Sequence, residues 1–199
     1  GGIYIEGMSG TATLTMKRGE ISGNKLALLH DGDGWPYMAD GAGICAYHGT
    51  NSTATVVDIQ GGTIRDNTAT ATEGTETVTG AGTAISLNSV VEGRYPVLKL
   101  SGSPTISGDV CLWDGENAGP VIEVAEGFAP TAPVEVNANY RTAGTAAVSY
   151  PQSMSAADAE APFTTTEESM MLAASNTGNT LVWLDLVRVN FKAPDNRTT

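Results

Sequence analysis

The chain of 199 residues is short of charge, of aromatics and of cysteine, and it holds no long apolar run. Without a run of about 18 apolar residues it has no candidate helical membrane span. Its 10 Lys+Arg against 22 Asp+Glu give a net charge of −12. That balance removes the cationic footprint a nucleic-acid binder needs. An anionic membrane surface would repel it, so neither nucleic acid nor membrane is expected as a partner. The acidity suits solubility in an exposed, secreted setting. The two cysteines, Cys45 and Cys111, form no CxxC and no Cys/His spacing for zinc. No metal or cofactor is expected. The opening Gly1-Gly2-Ile3 has no initiating Met and falls mid-pattern, so an excised fragment of a larger protein is expected.

What the chain does hold is Gly (24 residues) with Thr, Ala, Val and Ser, a mixture suited to short strands joined by tight turns. Its hydrophobic fraction of 41% is too high for a disordered chain. Three segments share one layout. The first runs Gly1-Gly2-Ile3-Tyr4-Ile5, Leu14-Thr15-Met16 and Gly19-Glu20-Ile21-Ser22-Gly23-Asn24. The second runs Gly41-Ala42-Gly43-Ile44-Cys45-Ala46, Val57-Asp58-Ile59 and Gly62-Thr63-Ile64-Arg65-Asp66-Asn67. The third runs Gly80-Ala81-Gly82-Thr83-Ala84-Ile85, Leu98-Lys99-Leu100 and Pro104-Thr105-Ile106-Ser107-Gly108-Asp109. Equating Gly2, Gly43 and Gly82 gives separations of 41 and 39; equating Ile21, Ile64 and Ile106 gives 43 and 42.

Each unit offers three short strands with apolar residues at alternate positions, so one face of each points inward. A single unit cannot bury that face; stacked units can, through ladders of like residues. The expected ladders are Ile21–Ile64–Ile106, Met16–Ile59–Leu100 and Ile5–Ala46–Ile85. Gly23 and Gly108, with Asn24, Asn67 and Asp109, mark corners that use the left-handed conformation. The pattern predicts an all-β parallel β-helix of three-strand coils, about four to five in number. A propeller blade would need four antiparallel strands, and a leucine-rich repeat a Leu/Asn spacing that is absent. The period of two excludes helical repeats.

The period is long for three strands, so residues 25–40 and 68–79 are expected to bulge from one edge. Val110-Cys111-Leu112 is expected to open a fourth coil that continues through Val121 to Val124 and Val134 to Val136. Cys45 and Cys111 then lie two coils apart, about 10 Å. A disulfide needs about 7 Å or less, so both thiols are expected to stay reduced and half-buried. Residues 1–150 form the solenoid in this reading. Residues 151–186 form a cap, with a short helix from Ser155 (N-cap, Asp158 at N3) and a hairpin of Ser169–Ala173 and Thr180–Leu184 around Asn176–Asn179. Residues 187–199 are a linker or the start of a following domain.

The segments Leu14-Thr15-Met16-Lys17-Arg18-Gly19-Glu20-Ile21-Ser22-Gly23-Asn24 and Leu100-Ser101-Gly102-Ser103-Pro104-Thr105-Ile106-Ser107-Gly108-Asp109 resemble repeats of large cell-surface, adhesin-like proteins of gut and other Gram-positive bacteria. The stretch from Val121 to Val148 is similar to the segment that closes such regions. The resemblance covers roughly residues 1–185. It implies a right-handed β-helix of pectate-lyase-like architecture, usually without a lyase site, on the bacterial cell surface or cell wall. It is specific for architecture and poor for activity.

The stretch His30-Asp31-Gly32-Asp33-Gly34-Trp35-Pro36-Tyr37 is the most site-like. Asp31 and Asp33 have the alternate spacing of calcium ligands, but no further carboxylate or bidentate Glu follows to complete a loop. A polar turn with packed aromatics accounts for the same residues. Alternatively Trp35 and Tyr37 offer flat faces, and Asp31 and Asp33 acceptors, for a sugar. The charges Glu6, Lys17, Arg18, Glu20, Asp58, Arg65, Asp66 and Lys99 are sparse. Surface pairing accounts for Arg18 and Arg65 beside Asp58 and Asp66. The paired carboxylates that glycoside cleavage needs are not evident. His30 and His48 fall in different coils and suggest no triad. Asn51-Ser52-Thr53 and Asn196-Arg197-Thr198 matter only in a eukaryotic secretory pathway. An ice-binding reading of the Thr content fails because T-x-T does not recur on one face. The expected function is a non-catalytic extracellular module, a monomeric stalk that contacts host or microbial glycans or surface proteins through residues 25–40 and 68–79. The alternative is a polysaccharide-active β-helix enzyme or its carbohydrate-binding part.

Overall fold

The computed structural model describes residues 2–30, 40–73, 76–89, 91, 94–112, 122–138 and 142–186. The fold is all-β with parallel sheets and, among the described residues, one short helix. Unit one supplies β1 (Ile3–Glu6), β2 (Thr11–Met16), β3 (Glu20–Ser22) and β4 (Lys25–His30). Unit two supplies β5 (Ile44–His48), β6 (Ala54–Ile59), β7 (Thr63–Arg65) and β8 (Thr68–Glu73), followed by β9 (Glu76–Thr79). Unit three has β10 (Ile85–Ser89), β11 (Val97–Leu100) and β12 (Thr105–Ile106). Unit four has β13 (Asp109–Leu112) and β14 (Ile122–Val124); unit five has β15 (Val134–Ala138) and β16 (Ala146–Ser149). The chain ends with α1 (Ala156–Glu160), β17 (Phe163–Thr164), β18 (Met170–Ala174) and β19 (Thr180–Asp185).

Corresponding strands pair in parallel, one unit to the next. The first wall runs β1-β5-β10-β13-β15-β17 and the third β3-β7-β12. The second runs β2-β6-β11-β14-β16 and closes with the antiparallel pair β19 and β18. Ile21 faces Ile64, and Ile64 faces Ile106, as the repeat predicts. Met16, Ile59 and Leu100 form the second expected ladder, extended by Val124. Ile44, Val57, Ile59, Ile64, Ile85, Leu98 and Leu100 all lie at or below 1% exposure in one continuous core. Each contributes about 1.5–3 kcal/mol by leaving water.

The first-wall ladder differs from expectation. Ile85 pairs with Ile44, not Ala46, so the ladders are Ile3–Ile44–Ile85–Val110–Val136 and Ile5–Ala46–Leu87–Leu112–Ala138. The repeat here is 41 residues from Ile44 to Ile85, because Gly82 corresponds to Gly41 rather than Gly43. Both have positive φ, +74° at Gly41 and +61° at Gly82. A Cβ on Gly41 would lie 2.7 Å from Cys45 Cβ, and one on Gly82 2.8 Å from Ser86 Cβ. The two turns therefore press on equivalent strand positions, and only glycine fits there.

The corners fall where the sequence implies, but the left-handed conformation sits on the residue before Asn24, Asn67 and Asp109, not on those three themselves. Gly23, Asp66 and Gly108 occupy equivalent left-handed positions, with φ of 67°, 56° and 100°. Asn67 Oδ1 accepts from the Asn24 backbone N–H at 3.1 Å and from Asn24 Nδ2 at 2.9 Å, while Asn67 Nδ2 donates to the Ile21 carbonyl at 3.0 Å. Asp109 stands in the same place one unit on and accepts from the Gly82 and Thr83 N–H groups and from Thr83 Oγ1, each at 2.8 Å.

The excursions are more ordered than bulging loops. Strands β4 and β8 pair in parallel from Lys25↔Thr68 to His30↔Glu73, and β9 returns antiparallel, so units one and two carry a fourth sheet on one edge. Ala42 and Ala69, with Leu26, Leu28 and Ala71, form a small apolar cluster with it. Val134–Val136 opens unit five on the first wall instead of ending unit four. Unit four passes the third wall without a strand, its Ala129 and Thr131 N–H groups donating to Gly102 and Pro104. The first-wall repeat drops from 41 residues to 25 between Ile85 and Val110, because unit three passes from β12 to β13 without a strand of the fourth sheet. Ser155 caps α1 by accepting from the Asp158 N–H, and β18 and β19 form the expected antiparallel pair. Neither cysteine is in a disulfide. Cys45 pairs in register with Ser86, and Ser86 with Cys111, so one rung separates them; Cys45 is half-buried and Cys111 fully buried.

Candidate functional site

Asp31, Asp33, Trp35 and Tyr37 lie outside the described residues, as does the segment 187–199. The segment that carries the four candidates leaves the described chain at His30, the end of β4, and re-enters at Asp40, just ahead of β5.

Strand alternation sends Ile3 and Ile5 inward and Tyr4 and Glu6 outward. Register then sets Tyr4 beside Cys45 and Glu6 beside Tyr47. The Tyr4 and Tyr47 rings stack with centroids 6.3 Å apart at 30°. Tyr4 is 61% exposed, and its hydroxyl donates to Glu6 at 3.1 Å. Burial and the Glu6 carboxylate push Tyr4 up to about 12, and burial followed by Glu6 raises Tyr47 as well. Both phenols stay neutral donors at physiological pH. The two rings, 30° from parallel, form an aromatic pair with a carboxylate at its edge, groups that can offer an apolar ring face and a hydrogen-bonding rim to a ligand.

Beside the pair is a pocket of about 280 Å³ lined by Ile3, Tyr4, Leu26, Asp40, Gly41 and Cys45 among others. Asp40 Oδ1 is buried and has no hydrogen-bond partner among the described residues. Burial raises the Asp40 carboxyl to about 6, the charge of Asp109 acts in the same direction, and an Ala81 backbone hydrogen bond opposes them. Burial, then Asp40, pushes the Cys45 thiol up to about 11. A thiol so placed is protonated and inert, the opposite of a nucleophile's setting.

The remaining candidates are dispersed. Arg65 pairs with Glu20 at 2.8 Å and with Asp66, and Lys99 with Glu123 at 3.2 Å, all on the surface. Asp58 instead accepts from Gln60 at 2.7 Å. His48 is 3% exposed. Burial, then the charge of Arg94, lowers its pKa, and a backbone hydrogen bond with Ser52 acts against them. Among the described residues no three His, Cys, Asp or Glu side chains gather as metal ligands. No helix among them is long and apolar enough to cross a membrane.

Tyr4, Tyr47 and Asp40 were not singled out from the sequence. The tyrosines do stand at outward positions of alternating strands. Their approach depends on the 41-residue offset between β1 and β5, which brings Glu6 beside Tyr47. The chain matches no protein family, no curated protein and no solved structure.

Proposed function

We propose that the chain is a right-handed parallel β-helix acting as a non-catalytic extracellular surface module of stalk or adhesin type. Residues 1–150 are its solenoid, 151–186 its cap and 187–199 a linker. Its contact surface for glycan or surface protein is the outer side of the first wall: Tyr4, Tyr47, Glu6 and Asp40, together with Asp31, Asp33, Trp35 and Tyr37 of the adjoining segment. The observation that carries this reading is the Tyr4–Tyr47 aromatic pair, Tyr4 exposed and Tyr47 half-buried, beside the Asp40 pocket. A rigid sheet holding aromatics in place loses little entropy on binding. The dispersed charges and the raised Cys45 thiol favour binding over turnover.

A glycan-array and mucin-binding screen tests it, with wild type beside Tyr4→Ala/Tyr47→Ala and Trp35→Ala/Tyr37→Ala. Loss of a stacked aromatic should weaken binding about tenfold or more. Binding that survives both double substitutions rejects the site. Release of unsaturated products from a uronic-acid polymer, or of reducing ends from another glycan, rejects the non-catalytic role.

A further inference from the structure

The inward ladder of the first wall turns polar at the end of β5. Ile44, Ala46 and His48 face the core from that strand, and His48 pairs in register with Ser89 at the end of β10. His48 thus stands where the chain leaves the first wall for the second through the turn 49–53. His48, Ser52 and the β6 residue Thr55 are all buried. The hydroxyls around the ring are already bonded to backbone. Ser52 Oγ accepts from the Gly49 N–H at 3.2 Å, and Thr55 Oγ1 donates to the Tyr47 carbonyl at 2.9 Å. Ser89 Oγ bonds the His48 and Arg94 carbonyls and accepts from the Val91 N–H. The ring has one hydrogen bond, with the Ser52 backbone. A neutral imidazole has a single N–H, which that bond satisfies, whereas an imidazolium has two. The second would compete for hydroxyls that the backbone already holds, and it would bury a charge. Arg94, in the connection after β10, opposes that charge. Glu6 on β1 turns outward to receive the Tyr4 hydroxyl, and Asp58 on β6 turns outward to receive Gln60. The turn 49–53 carries no titratable side chain.

We infer that this corner is an acid-sensitive hinge, in which a proton on His48 opens the turn 49–53 while the stacked walls stay formed. The turn is held by few bonds. Ser52 N–H donates to the Gly49 carbonyl and Thr53 N–H to the Gly10 carbonyl, each at 3.0 Å, beside the Gly49–Ser52 side-chain bond. Thr50, Asn51 and Thr53 are exposed, so opening gives up little apolar contact. The strands on either side are anchored separately by Ile44, Val57 and Ile59 in the core. Opening brings the ring to water, where both N–H groups find acceptors. Because Thr55 also holds the Tyr47 carbonyl, the loosening reaches Tyr47. In the closed turn burial and Arg94 lower the ring below its ordinary 6.5. The opened turn therefore holds more protons as pH falls through 6.5, and the closed form loses ground until the buried ring is itself protonated. The raised Asp40 carboxyl acts on overall stability in the opposite sense, so the turn itself must be read.

Amide exchange as a function of pH, with the His48 ring followed by NMR, tests this. Protection of the Ser52 and Thr53 amides, corrected for intrinsic exchange, should fall by up to about tenfold for each pH unit below 6.5. Protection of the Ser101 and Ser107 amides, which donate to Ile59 and Ile64 carbonyls between units, should hold. The His48 ring should titrate below 6.5. His48→Gln keeps a neutral side chain with a donor, so it should keep the fold and remove the pH dependence of the turn. Should that variant misfold, Arg94→Gln serves instead: it leaves the ring in place, and should raise its titration and shrink the pH dependence. A His48 ring that titrates at or above 6.5, a turn indifferent to pH, or an unaltered pH dependence in His48→Gln overturns the inference. So does loss of protection in turn and walls together, which would be unfolding of the whole stack.

Discussion

At its C-terminal end the stack is closed by large side chains, with Leu181 at 0%, Trp183 at 1% and Met170 at 6% exposure; at its N-terminal end Ile3, Leu14 and Ile21 remain partly in water. Both ends face one difficulty, since a stack of parallel strands terminates in unpaired backbone and a cut core. The C-terminal end resolves it by reversing direction. Strand β19 runs antiparallel to β16, β18 folds back on it, and α1 lies against the β18 edge with Glu160 taking up the Ala174 N–H. Among the described residues, the first unit carries the same ladders and no such reversal. The difference shows that stacking register and termination are separate properties: like residues on like rungs propagate a stack, but they do not stop it.

Substitutions at matched depths sharpen that contrast. Trp183→Ala should have the largest effect, about 3–5 kcal/mol in urea unfolding, because the buried ring leaves a cavity that the closed end cannot collapse around. Leu14→Ala, at the open end, should cost less than half as much; an equal cost would show that the end is covered in solution. Next, Ile64→Ala should cost about 2–5 kcal/mol. Ile21→Ala, one rung nearer the open end and already half-solvated, should cost visibly less, and equal values would contradict the gradient.

A pH series tests the Asp40 pocket. The folded carboxyl, raised to about 6, binds its proton more tightly than the unfolded one at about 3.8. Between those values the folded state holds more protons, so stability falls as pH rises from about 4 to about 6 and stays lower above that. Asp40→Asn should flatten that part of the profile and stabilise the protein above pH 6 by about 1–2 kcal/mol, discounted for partial exposure. Unchanged pH dependence would mean that Asp40 is solvated. The smallest effect belongs to Glu160→Gln, about 1 kcal/mol, read as faster hydrogen exchange at the Ala174 amide. The Thr13 amide, without a backbone partner among the described residues, should exchange fast already.

Much of the architecture was legible because inward residues are alike. The isoleucines of the third wall and the Met16–Ile59–Leu100 ladder follow from spacing alone. The first wall did not, because two Gly-x-Gly motifs can be aligned in two ways. Only the pressure of Gly41 on Cys45 and of Gly82 on Ser86 distinguishes them. The strand character of residues 25–30 and 68–73 was hidden because each lacks a core of its own and pairs with the other. The aromatic pair was hidden for a related reason: Tyr4 and Tyr47 are 43 positions apart and meet only after the register is known.

By itself the sequence determined the all-β character, the inward face of each strand, the corners and the antiparallel close, since these rest on local alternation, on turn residues and on the cost of leaving apolar side chains in water. Only the tertiary structure decided which rung lies on which. Packing selects one register from several that the pattern allows, and that selection brings Tyr4 to Tyr47 and half-buries Asp40 beside them.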